Sequence, residues 1–247
     1  MALDDRIRLV PAADRWELCV LAASLALPPR AGEVAGLLVR DVDFVRRRLR
    51  FRTRVGGDDF TRGKTEFDVP FPLELAPLFR AMQGGRAEGP LLRTRRHLDR
   101  GAAGGFADHA SLRAAYNQWL AKLPAAREAT PADPKDAFRE FLVRHGGLSP
   151  DGLKKAFDAL QRRAFCQVKF RLHDLRHAAT EGMINAGVSH LAARYFTSHA
   201  CDDVLNTYAS INIDREAKKY FDGIQSLLAA IASRSRELGL TASAAAV

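Results

Sequence analysis

Phe170-Arg171-Leu172-His173-Asp174-Leu175-Arg176-His177 is the stretch on which the reading of this 247-residue chain turns. It leads into an amphipathic segment expected to be helical over Asp174–Ala186. His173 and Arg176 stand three positions apart, so at a helix start both side chains can point to one spot. A histidine able to donate a hydrogen bond, next to an obligatory cation, suits a phosphodiester oxygen that gains charge during attack. His173 and His177, four apart, also have the spacing of two zinc ligands. Asp174 stands where the HExxH pattern needs Glu, however, and Arg176 would put a cation beside the metal. His177 is instead read as a supporting, structural histidine.

Downstream, Thr197-Ser198-His199 is followed nine residues on by Tyr208, in Leu205-Asn206-Thr207-Tyr208-Ala209. A phenol can break a phosphodiester without water, keeping the phosphate on the protein as an ester, so that resealing needs no outside energy. Tyr195 and Tyr220 compete for that role on proximity alone. Upstream, Pro28-Pro29 stops a helix expected over residues 14–27, and Arg30 opens a second one reaching Leu38. Amides at such a helix start favour an anion, and Glu33 is spaced to buttress Arg30. Between these segments Leu49, Phe51 and Thr53 alternate with Arg48, Arg50, Arg52 and Arg54, which predicts a strand with one cationic face. Gly56-Gly57-Asp58-Asp59 reads as the turn and Phe67-Asp68-Val69 as the returning strand. For Arg46-Arg47-Arg48 a solvated surface and a DNA contact are equally good readings.

Everything later reads as helical: Leu73–Met82, Ser111–Lys122, Pro134–His145, Asp151–Phe165, His190–Phe196, Asp202–Ser210 and Asp214–Arg234, besides the segment after Asp174. The fold class that follows is mainly α with a small antiparallel β-sheet, an α+β arrangement. One domain is expected over residues 1–240, with a possible insertion at 124–150 and a frayed tail at 241–247.

Composition narrows the partner. There are 38 Lys+Arg against 29 Asp+Glu, a net charge of +9, and most of the cations are arginine. Such an excess favours a polyanion, and arginine grips phosphate oxygens with a planar fork. No apolar run is long enough for a membrane span, and the N-terminus lacks the pattern of a signal peptide, so a cytoplasmic location without membrane is expected. Cys19, Cys166 and Cys201 form no CxxC pair and suggest neither a disulfide framework nor a zinc site.

Taken together, Arg30-x-x-Glu33-x-x-x-Leu37, His173-x-Leu175-Arg176-His177 and His199-x₈-Tyr208 occur in an order that resembles the catalytic domain of tyrosine recombinases and phage integrases. The resemblance implies that fold, and duplex DNA cut and rejoined through a 3′-phosphotyrosyl link. Arg30 and Arg176 would clamp the non-bridging oxygens. His173 and His199 would hydrogen-bond the phosphate, with His173 also suited to accept the proton of the Tyr208 nucleophile. A hairpin lysine would protonate the leaving 5′-oxygen. Lys64 is the only lysine before Lys122, whereas counting back from Pro70 places the family position nearer Arg62. Arg62 and Arg171 are the expected DNA contacts. No metal or nucleotide cofactor would be needed, and further copies of the chain would join on DNA through the terminal helix. Pro28-Pro29 and Thr197-Ser198 depart from the residues usual before Arg30 and His199. The small helical DNA-clamping domain that normally precedes this one is expected to be absent. Two other readings share the scaffold: a non-catalytic DNA-binding relative, and a type IB topoisomerase that relaxes supercoils.

Overall fold

The computed structural model describes residues 1–51, 67–99, 105–122, 134–165, 167–197 and 211–240. Lys64, Arg62, His199 and Tyr208 lie outside them, as do Cys166, Cys201, the expected turn at 56–59, the expected helix Asp202–Ser210 and the tail.

The chain starts with a helix that periodicity did not announce, α1 (Leu3–Ala12), which carries Asp4 and Asp5 in its first turn and Pro11 in its last. Acidic residues there complement the helix dipole. α2 (Arg15–Ala26) follows at once. The Asp14 carboxylate accepts from the Glu17 N–H at 2.9 Å and Glu17 accepts from the Asp14 N–H at 3.1 Å, a reciprocal cap that fixes where the helix begins. Its sequence suggests a single apolar stripe, yet every residue from Glu17 to Ala26 is buried. A helix covered all round is a central one, and α2 indeed packs against α3 (Ala31–Ala35), α4 (Ala76–Gln83), α8 (Pro150–Phe165), α9 (Leu172–Asn185) and α12 (Gln225–Glu237).

Pro28-Pro29 ends α2 as expected, but α3 is five residues long and does not run on to Leu38. Leu37 and Leu38 instead run alongside Gly89–Leu91: the Val39 N–H donates to the Gly89 carbonyl at 2.9 Å and the Leu91 N–H to that of Leu37 at 2.8 Å. The sheet has three antiparallel strands in the order β1 (Val42–Asp43), β2 (Arg48–Phe51), β3 (Phe67–Pro70). Leu49 pairs with Val69, Arg50 with Asp68 and Phe51 with Phe67. Leu49 and Phe51 face the core while the arginines stay half-exposed. Of the expected cationic face, Arg52 and Arg54 lie outside the described residues, and Arg48 and Arg50 are matched by acids. Arg48 holds Asp214 through two bonds of 2.8 and 2.9 Å, and Arg50 lies 3.6 Å from Asp68.

α5 (Arg95–Asp99), α6 (His109–Ala121) and α7 (Pro134–Arg144) complete the middle of the chain. α6 and α7 build a second apolar cluster of Leu38, Leu112, Tyr116, Phe138, Phe141 and Leu142, separate from the main core. The expected terminal helix is divided: α11 (Ile213–Gly223) and α12 meet at Ile224, whose φ of −114° breaks the helix. Gly223 sits where an added Cβ would come within 3.1 Å of the Ala186 side chain, so close approach to the end of α9 fixes the break. Leu227, Leu228 and Ile231 of α12 are buried, with α12 packed on α1 and α2 of the same chain. Among the described residues no helix is long and apolar enough to cross a membrane.

Candidate functional site

α2, the Pro29-Arg30-Ala31 segment and the first turn of α9 meet around a single cavity. Ser24, Pro29, Arg30, Ala31, Leu172, His173, Leu175 and Arg176 line it. Its volume of about 50 Å³ is far below the roughly 300 Å³ of a pocket for a drug-sized ligand, and suits one small ion or a few waters.

Each polar side chain is placed by a local device. α9 starts at Arg171, whose N–H donates to Asp174 Oδ2 at 2.8 Å while its guanidinium donates to Oδ1 at 3.0 Å. Against the opposing pull of desolvation, that N–H and guanidinium hold the Asp174 carboxyl below its ordinary range. Capping in this way turns His173 and Arg176 toward α3 one helical turn apart. Arg171 itself is exposed.

Arg176 is buried, at 6% exposure. Its Nη1 donates to the Pro28 carbonyl at 3.1 Å and its Nη2 donates to the Thr197 carbonyl. One side chain thus ties α9 both to the turn before Arg30 and to the end of α10 (His190–Phe196). Glu33 stands between the two cations: Oε1 lies 3.3 Å from Arg30 Nη1 and Oε2 lies 3.9 Å from Arg176 Nη1. The same carboxylate accepts from the Arg30 N–H at 2.6 Å, so it already occupies the amide end of the short α3. Desolvation, and then the neighbouring Arg30 cation, lower the pKa of Arg176, with Glu33 opposing. Arg30 keeps 42% of its side chain exposed and is the cation that solutes reach first.

His173 packs edge-on against His177, ring centres 4.6 Å apart at 88°. Partial desolvation lowers its pKa below the usual 6.5, helped by His177, Arg176 and Arg171 and resisted by Asp174. At neutral pH the imidazole is therefore uncharged and able to take a proton. Among the described residues no three His, Cys, Asp or Glu side chains are grouped to hold a metal ion.

No family model matches the chain, and no curated protein matches it either. Among solved structures, a XerA recombinase is similar at a TM-score of 0.46 and 17% identity, over 90% of this chain and 63% of that one.

The fold brings Arg30, His173 and Arg176 to one cavity, with Glu33 and His177 beside it. It also commits three of the four tyrosines elsewhere. The Tyr195 oxygen accepts from the Asp68 N–H at 3.1 Å, tying α10 to β3, and desolvation raises its pKa. Tyr220 is fully buried and donates to the Ala26 carbonyl at 3.0 Å. Tyr116 lies inside the second cluster. Three contributors escaped the reading of the sequence. Ser24 looks like a core residue in an apolar helix, and the carbonyls of Pro28 and Thr197 carry no signature in residue type.

Proposed function

We propose that this chain is the catalytic domain of a site-specific DNA recombinase or integrase, which cleaves and rejoins duplex DNA by transesterification. The single observation that carries the reading is the convergence of Arg30, His173 and Arg176, from segments more than 140 residues apart, on one anion-sized cavity. Arg30 and Arg176 would surround the non-bridging oxygens of the scissile phosphate. The Tyr208 oxygen would attack phosphorus, its proton passing to neutral His173 as the bond to the 5′-oxygen breaks. His199 would donate to the phosphate, and Lys64 would protonate the departing 5′-oxygen. Glu33 and His177 would hold Arg30 and His173 in place. Arg62 and Arg171 would contact the DNA backbone. With three tyrosines held in structural roles, Tyr208 is left as the candidate nucleophile. Further copies of the chain on DNA are the remaining partners of this reading.

A suicide substrate nicked beside the scissile phosphate tests it. A covalent protein–DNA complex that withstands EDTA and disappears in Tyr208→Phe is expected. Trapping that survives Tyr208→Phe, or that requires a metal, refutes the mechanism.

A non-catalytic DNA-binding relative is the second reading, favoured by one feature: both terminal nitrogens of Arg176 already donate to backbone carbonyls. It predicts salt-sensitive DNA binding without a covalent product.

A further inference from the structure

Ser24 sits on the face of α2 that forms part of the cavity wall, opposite the first turn of α9. The residue is buried, and its hydroxyl has no hydrogen-bond partner among the described residues. A serine within a helix ordinarily returns its proton to the carbonyl four residues earlier, which here is Val20, yet that bond is not made. Burying a hydroxyl without a partner is costly and rare in folded proteins. Its place in the lining explains it: the other polar side chains there are Arg30, Arg176 and the uncharged His173. Two guanidinium groups and an unused O–H donor around about 50 Å³ make a cavity set for a small oxyanion rather than for a cation or an apolar group.

We infer that the Ser24 hydroxyl is a phosphate-binding donor, completing from the α2 side the site lined by Arg30, Arg176 and His173. This rests on reading the cavity as a phosphate site. Among the described residues the O–H is unpaired. With an anion seated, it donates to one of the anion's oxygens, adding a contact from a helix that the sequence marks only as core. The neutral hydroxyl donates to an ionised oxygen without adding charge to a site that already holds two cations.

Inorganic phosphate is the probe, titrated against wild type, Ser24→Ala and Arg30→Ala at constant ionic strength, with thermal unfolding as the readout. Alanine fills nearly the same space on α2, and removing an orphan hydroxyl leaves the phosphate-free melting temperature equal or higher. The expected result is a phosphate dependence in wild type whose midpoint rises about tenfold in Ser24→Ala, the size of one hydrogen bond to a charged acceptor. Identical phosphate midpoints in wild type and Ser24→Ala, with the response weakened in Arg30→Ala, overturn the role of Ser24 and leave the phosphate site standing. A wild type that phosphate does not stabilise overturns both.

Discussion

Replacing Arg176 by alanine should cost the fold far more than replacing Arg30, although both are read as phosphate contacts. Arg176 is 6% exposed and its guanidinium donates to the carbonyls of Pro28 and Thr197. Hydrogen bonds from a charged donor contribute ~1.5–3 kcal/mol each, so losing two and leaving both carbonyls buried costs about 3–6 kcal/mol. Relief of the desolvated cation and of its repulsion by Arg30 offsets part of this. A net loss of about 3 kcal/mol follows, which for a domain of this size lowers the melting temperature by roughly 6–12 °C. Arg176→Lys keeps the charge but not the fork and should lose about half as much. Arg30→Ala removes a side chain that is 42% exposed and paired with Glu33 across a partly solvated gap, a change of about 1 kcal/mol or less. Circular dichroism melts of the three variants at one pH decide the matter. An Arg176→Ala protein that melts with wild type, or no lower than Arg30→Ala, refutes the claim that this arginine is first a structural tether.

Tyr195→Phe removes the acceptor for the Asp68 N–H and should destabilise by about 1–2 kcal/mol, while leaving covalent trapping on a nicked substrate intact. Tyr220→Phe, which strands the Ala26 carbonyl, should behave the same way; loss of trapping at native temperature in either variant would count against Tyr208. The lowered pKa of His173 sets a pH window with a definite sign. Its unfolded form takes up protons first as pH falls below about 6.5, so stability and trapping rate both hold above that value and decline as pH drops through the folded pKa. An acid limb that persists unchanged in His173→Gln would assign it to another group. The Cys19 thiol, buried and pushed up to about 12 by desolvation, should resist alkylation until the chain unfolds, as peptide mass mapping can verify.

Much of the architecture was legible because periodicity reports burial. Alternation around Leu49 and Phe51 revealed β2 and its partner, and the three-residue spacing of His173 and Arg176 foretold their convergence. What stayed hidden was set by tertiary contact. α1 is short, carries four charged residues in ten and contains Pro11, so it owes its helix to packing against α8 and α12. β1 is two residues long, too short for any alternation. The break at Ile224 answers to the closeness of Ala186, which is distant in sequence. Around the cavity, side chains with charge were readable and backbone acceptors were not. A carbonyl such as that of Pro28 is chemically the same at every position, and only folding selects which one an arginine will meet.

Leu37 belongs to the main core and Leu38, its neighbour, to the cluster of α6 and α7. Two adjacent leucines pointing into different interiors form a seam, and the pairing of residues 37–39 with 89–91 runs along it. The lobe beyond that seam can therefore open as its own cooperative unit while α2, α9 and the cavity stay closed. Amide exchange in α6 and α7 would then run ahead of exchange in α2. Changes in that lobe would reach the cavity through Leu38, shared with its apolar cluster, and through Arg139 of α7, whose guanidinium lies beside Gly32 at the start of α3.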